Sequence, residues 1–337
     1  MILVAGDPIF AEHAPGPGHP ERPARLAAVE RGLAASGLGE ALVTLESRDA
    51  TRDELERVHR PDYLDRLITL SEAGGGALDP DTQVSSASWA AAVRASGDGL
   101  AAAHALRSGR GDAAFLAVRP PGHHARPAQG MGFCLLNHIA VVAADLAALG
   151  DRVCILDWDA HHGNGTQEIF YDRSDVLYVS WHEWPLYPGT GALDDRGRGP
   201  GLGFTCNIPL PAGATGDVYL RSFDEVVAPL VESFVPDWIL VSAGFDAHRA
   251  DPLTGLGLSA GDFAALMDRS TDLAGRSGRT LAFLEGGYDL DALEASVAAA
   301  VPRLIGVEPV VEAEPPTSGG PGRTSVTAAA DLWAHSG

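Results

Sequence analysis

Five short runs of this chain are apolar on both faces: "AAFLAV" (113–118), "RVCILDW" (152–158), "DVLYVSW" (175–181), "DWILVSA" (237–243) and "RTLAFLE" (279–285). Strands of that kind belong in a parallel sheet covered on both sides. Alanine-rich segments separate them; "NHIAVVAADLAALG" (137–150) has helical apolar spacing and ends in glycine, the residue favoured just past a helix C-terminus. Strand, helix, strand repeated this way predicts an α/β fold, with helices on both faces of a central parallel sheet. No self-similarity of solenoid or propeller length is present. Each apolar run is followed by a polar loop: "RPPGHHA", "DWDAHHGNGT", "WHEWPLYPGTG", "GFDAHRADP" and "GGYD". In open parallel sheets ligands bind beyond the carboxyl ends of the strands, so these loops are expected to converge on one site there.

The chain has 337 residues, 45% of them hydrophobic, enough to bury a sizeable core in one large domain over residues 1–307. From 308 to 337 the sequence turns rich in Pro, Gly, Ser and Thr, which predicts a flexible tail with at most a short docked end. The opening "MILVAG" suits a first buried strand better than a secretory leader. No apolar stretch reaches membrane-spanning length, so a cytoplasmic protein without a membrane partner is expected. A formal charge of -21 argues against nucleic acid as a partner, because phosphate contacts need a basic surface. The 24 basic residues are all arginine, which is uninformative about chemistry. Cys134, Cys154 and Cys206 form no CxxC pair and are expected to be small buried side chains rather than disulfides or zinc ligands.

Asp159 and His161 are two residues apart at a strand end, so both side chains can point the same way, and Asp246 follows a different strand. Two carboxylates and an imidazole with an open position make a hydrolytic Zn2+ site, and the mixed N/O set also admits Fe2+ or Mn2+. A single D-x-H is weak evidence of a metal; three such residues after two strands, beside a separate histidine pair, are much stronger. Adjacent histidines such as His123 and His124 are more often surface residues. Beside a metal, one of them could move a proton between water and a leaving amine, with Asp157 orienting its other nitrogen. Tyr288 follows two glycines and could swing in to donate its hydroxyl to a developing oxyanion.

Taken in order, "HPERPARL" (19–26), "RPPGHHA" (119–125), "GFCLLNH" (132–138), "ILDWDAHHGNGTQEIFY" (155–171), "VSWH" with "YPGTG" (179–191), "VSAGFDAHRADPL" (241–253) and "LEGGY" (284–288) resemble the zinc-dependent histone deacetylase and acetylpolyamine amidohydrolase superfamily, especially its class II-type and bacterial members. The resemblance covers the chain to about residue 307 and implies a single-domain arginase-deacetylase fold with its active site at the C-terminal strand ends. It implies one catalytic Zn2+ on Asp159, His161 and Asp246, and His124 as general base and acid. His123, held by Asp157, would act electrostatically, and Tyr288 would polarise the substrate carbonyl. Phe133 and Tyr187 would wall the acyl channel, the Gly132 carbonyl would receive the scissile N–H, and Leu253 would stand at the rim. A structural K+ would sit on Asp157, Asp159, His161, Ser180 and the backbone near Trp181.

Two departures matter. Asn164 stands where class I members carry aspartate, as in class II members, and should tune the pKa of His124. Tyr187 replaces the more usual phenylalanine, which changes the polarity of the channel. A dimanganese ureohydrolase would need further carboxylates at positions held here by Gly163 and His248. The implied substrate is an acylated amine, either acyl-lysine or an acetylpolyamine. Leu253 replaces the glutamate of one polyamine-specific group, while Glu183 or Asp81 could supply charge instead. A non-catalytic acyl-amine sensor is a third reading, and a homo-oligomer is a further candidate assembly.

Overall fold

The structure, a computed structural model, describes residues 1–275, 277–310 and 314–334. Among the described residues there are ten strands: β1 (Ile2–Ala5), β2 (Leu42–Thr44), β3 (Gly75–Ala77), β4 (Gln83–Ser85), β5 (Ala113–Leu116), β6 (Val153–Asp157), β7 (Val176–Glu183), β8 (Thr205–Leu210), β9 (Trp238–Ala243) and β10 (Thr280–Leu284). Eight form one sheet in the order β2-β1-β5-β10-β9-β6-β7-β8, parallel throughout, while β3 and β4 make a small antiparallel ribbon. The α/β class and the single central sheet are as the sequence predicts.

Period-two alternation divides each central strand between two apolar layers. In β6, Val153 and Ile155 pack on one face and Cys154 and Leu156 on the other. In β10, Leu281 and Phe283 join the first layer and Ala282 and Leu284 the second. All eight side chains are buried. Helices Ser88–Arg107 and His138–Ala148 cover the first face; Ala24–Ala35, Ala260–Asp272 and Leu290–Ala300 cover the second. Burying one large aliphatic side chain is worth about 1.5–3 kcal/mol, so strands apolar on both faces are stable only in such a sandwich.

The strand order places the site. In the sheet β9 and β10, which enter last in sequence, lie between β5 and β6. The chain therefore crosses two strand positions between β5 and β6, and the four central strands open their C-terminal ends onto one crevice. Their loops carry His123 and His124, Glu285 to Tyr288, Asp246, and Asp159 with His161.

Beyond residue 307, where a flexible tail with a short docked end is expected, the described residues include a docked helix. Arg323–Ala334 is a helix, and Val326 and Ala329 are fully buried in the second apolar layer. Their spacing of three puts both on one helix face, a pattern that the surrounding Pro and Gly residues obscure. Ahead of the helix, the Thr317 backbone N–H and hydroxyl both donate to Asp262, and Gly320 N–H donates to Thr215. Residues 311–313 and 335–337 of that segment lie outside the described residues. Among the described residues no helix is long and apolar enough to cross a membrane.

Candidate active site

β6 ends at Asp157, and the next residues turn back across the crevice. Asp159 Oδ2 accepts the Gly286 N–H at 2.7 Å, leaving Oδ1 directed at His161 Nδ1, 3.2 Å away. Asp246 is arranged alike: Oδ1 accepts the Ala160 N–H at 2.8 Å and Oδ2 lies 2.9 Å from His161 Nδ1. One ligand atom from each of the three residues falls within 4.8 Å of the others, and both carboxylates are buried. Burial, then the charge of Asp159, raises the Asp246 carboxyl to about 7. Burial opposes the charged form of His161, but its hydrogen bonds to Asp159 and Asp246 outweigh burial and hold its pKa well above the ordinary value. The cluster thus draws a positive charge between two carboxylates, and a divalent cation bound by one nitrogen and two oxygens meets the same demand. The donor set fits zinc.

The surrounding backbone is shaped to this cluster. A Cβ on Gly286 would fall 2.3 Å from Asp246 Oδ2 and 2.7 Å from Asp159 Oδ2, so only glycine lets the β10 loop approach the carboxylates. At Gly163 a Cβ would fall 2.3 Å from Asp157 Oδ2 and 2.5 Å from the Tyr178 hydroxyl. No carboxylate could stand there. His248, the other position a second metal would need, lies with its Nε2 3.3 Å from Glu314 Oε2.

The His123 and His124 rings lie with centroids 4.0 Å apart, tilted 44° to each other, yet their surroundings oppose each other. His123 Nδ1 lies 3.0 Å from Asp157 Oδ2, which also accepts the Tyr178 hydroxyl at 3.1 Å. Burial disfavours the His123 cation, but Asp157, Asp159 and Glu285 outweigh it and raise its pKa to about 10. His124 Nδ1 faces Asn164 Oδ1 at 2.8 Å; burial and then the charges of His123 and His161 push its pKa well below the ordinary value. One imidazole is held charged and its neighbour neutral, as paired acid and base groups require.

Tyr288 is buried, and burial raises its hydroxyl pKa well above the usual value, so it remains a donor. Its N–H donates to Asp251 Oδ2 at 2.7 Å, and the Arg25 guanidinium sits 5.1 Å from its ring centroid. Arg25 also donates to the Gly287 carbonyl at 2.7 Å and to that of Glu285, while Glu21 accepts from both Arg25 and Arg119. The "HPERPARL" motif thus holds the glycine loop ahead of Tyr288 from beneath.

The Phe133 and Tyr288 rings meet edge to face at 5.8 Å, and Tyr187 stands 5.4 Å from the His124 ring and 6.4 Å from that of His161. Gly132 and Phe133 are both left-handed, with φ of 54° and 67°, and the Phe133 N–H is anchored on Thr82 Oγ1 at 3.0 Å. Leu253 is 36% exposed and Tyr187 37%. Asp157 and Ser180 are register partners on β6 and β7, with Trp181 next along the strand, so three of the expected K+ positions are adjacent. Glu183 is not a free channel charge: it accepts the Gly255 N–H at 2.6 Å.

Four contributors went unassigned in the sequence. Glu285 is buried and accepts from Gly122 N–H at 2.7 Å, His123 N–H at 3.2 Å and the Ser242 hydroxyl at 3.3 Å. With Cys134 and His123 it forms a second compact donor group. Its oxygens are already satisfied and burial keeps the Cys134 thiol protonated, so it does not suit a metal. Asp251, Tyr178 and Asn137 are the others, and Asn137 alone carried a signal, as the polar residue opening an apolar helix.

The histone deacetylase domain family matches residues 19–304. A probable deacetylase of Archaeoglobus fulgidus is 42% identical over 84% of this chain and 80% of its own length. A histone deacetylase-like amidohydrolase of Pseudomonas aeruginosa is 41% identical over 80% of this chain and 73% of its own. Among solved structures, the HDA15 HD domain superposes with a TM-score of 0.86 at 38% identity, covering 90% of this chain and 91% of that one. With the matched domain spanning the strands and loops that build the crevice, this chain belongs to the histone deacetylase family and is a hydrolytic enzyme of the deacetylase and amidohydrolase type.

Proposed function

We propose that this enzyme removes acetyl or other short acyl groups from N-acyl lysine side chains or small acylated amines, with one Zn2+ held by Asp159, His161 and Asp246. The observation that carries this reading is the meeting of those three ligand atoms within 4.8 Å beside a neutral and a charged histidine. Bound zinc supplies Lewis acidity toward the amide carbonyl and acidifies water. His124 accepts a proton from the attacking water on Nε2 and returns it to the leaving amine nitrogen. His123 stays protonated against Asp157 and offsets negative charge as it develops. Tyr288 donates its hydroxyl hydrogen to the carbonyl oxygen, where an added donor is worth most in the transition state. Phe133 and Tyr187 line a passage suited to an extended alkyl chain, Gly132 offers its carbonyl to the amide N–H, and Leu253 meets the substrate at the rim. A K+ on Asp157, Asp159, His161, Ser180 and the Trp181 backbone would brace the site from behind.

Acetylpolyamines are the second reading. It is favoured by Asp79 and Asp81, whose charges act on the half-buried Tyr187 hydroxyl and would attract a distant ammonium. Acetate release from an acetyl-lysine peptide, acetylputrescine and acetylspermidine, compared on zinc-loaded protein, tests both. Preference for the peptide supports the first reading, and preference for the polyamines the second. Zinc-loaded protein that turns over none of them would leave the sensor reading.

A further inference from the structure

We infer that Asn137, which touches neither the ligand cluster nor the substrate passage, is a positioning residue that sets the height of His124. This rests on the reading of His124 as the proton-transfer group. His124 lies on no regular element: it follows β5 by eight residues, in a loop that must be held from outside. Asn137 opens helix His138–Ala148, and its fully buried side chain faces two ways. Its Oδ1 accepts the Ala140 N–H at 3.1 Å, the usual N-cap bond. Its Nδ2 donates to the Ala125 carbonyl at 3.2 Å and the Thr166 hydroxyl at 3.1 Å, with a longer contact of 3.4 Å to the His123 carbonyl. Thr166 completes the grip, giving its N–H to the His123 carbonyl at 3.1 Å.

The carbonyls of His123 and Ala125, the residues on either side of His124, are therefore fixed against the first turns of two helices. One of those helices, Asn164–Phe170, also presents the Asn164 oxygen to His124 Nδ1. The imidazole is located by its backbone and its ring nitrogen relative to the same helix end. The Asn137 main chain adds a further tie, with its N–H donating to His59 Nε2 at 2.9 Å. Capping alone needs only an acceptor at this position; the amide N–H groups serve the carbonyls beside His124. A displacement of order 1 Å at a reacting group costs about 100-fold in rate, so the loss of such a grip should show in turnover more than in binding.

The test is a double-variant cycle on the zinc-loaded full chain with an acetyl-lysine peptide. Asn137→Ser keeps a capping oxygen but cannot reach the carbonyls; Asn137→Asp keeps the cap and presents no hydrogen to them. Each is expected to lower kcat by about 10-fold or more with KM little changed, at wild-type zinc content. In the His124→Ala background the same substitutions should lower kcat by no more than about twofold, because the group they position is gone. Equal losses in both backgrounds, or kcat near wild type in the single variants, would overturn the inference. Failure of both variants to fold as zinc-binding protein would overturn it too, assigning Asn137 to the fold alone. Near-wild-type turnover by His124→Ala would instead remove the reading on which it rests.

Discussion

His124 Nδ1 faces the side-chain oxygen of Asn164 at 2.8 Å, so the neutral imidazole carries its proton there and presents Nε2 as a base. Burial and the charges of His123 and His161 hold the His124 pKa well below the ordinary value, keeping it neutral across the neutral range. Asn164→Asp would place a carboxylate on that Nδ1–H and favour the cation, raising the pKa. The acid limb of the kcat/KM profile should then move to higher pH. An unmoved or lowered limb would show that His124 is not the group titrating.

The Tyr288 hydroxyl is the one protein donor assigned to the carbonyl oxygen. Tyr288→Phe should lower kcat by about 100-fold or more with zinc content unchanged, the usual loss for an oxyanion donor. Turnover within a few-fold of wild type would remove Tyr288 from the chemistry.

Two buried carboxylates and an imidazole are held together at the candidate metal site, so the cation should stabilise the fold as well as serve the reaction. At 1,000 times its dissociation constant, zinc should add about 4 kcal/mol of stability, and chelation should abolish turnover and lower Tm together. Because burial and Asp159 raise the Asp246 carboxyl to about 7, protons compete with the metal as pH falls through that value, and zinc affinity should drop there. Calorimetric titration at several pH values measures both effects.

Gly163 leaves no room for a side chain between Asp157 and the Tyr178 hydroxyl. Gly163→Ala should displace Asp157 or His123 and cut kcat by roughly 100-fold, the scale for small misplacements at a reacting centre. Gly163→Asp should not recruit a second metal equivalent. Two equivalents by metal analysis would show that the fold's dinuclear arrangement is open to this chain.

Val326 is fully buried at the C-terminal helix. Val326→Asp should cost about 3 kcal/mol or more by placing an unpaired charge in that layer, with a matching fall in denaturation midpoint. An unchanged midpoint would mean the helix adds nothing to the stability of the catalytic domain.

Legibility in the sequence followed the physics of each signal. The five apolar runs that become β5, β6, β7, β9 and β10 were readable because burial on both faces leaves little but apolar residues, and their bounds lie within two residues of the observed strands. Strand β2, at an edge of the sheet, and the ribbon β3 and β4 are three residues each, too short for periodicity, and β8 is interrupted by Asn207 and Pro209. In the site, Asp159, His161, Asp246, His123, His124 and Tyr288 stood out as residue types that strand-end loops rarely collect without a use. Glu285 and Asp251 were invisible because their work is accepting main-chain hydrogen bonds, which depends on where the backbone passes, and Asn137 showed only as the polar residue that opens a helix. The docked helix at Arg323–Ala334 was masked by the composition around it.

The most direct measurement is acetate release from an acetyl-lysine peptide and from acetylputrescine by zinc-loaded wild type, alongside Asp246→Asn and a chelated sample. The proposed function predicts turnover of at least one substrate with one zinc per chain, lost on chelation, restored by zinc and absent in Asp246→Asn. Folded, zinc-loaded protein releasing no acetate from either substrate, or equal release after chelation and in Asp246→Asn, would contradict it.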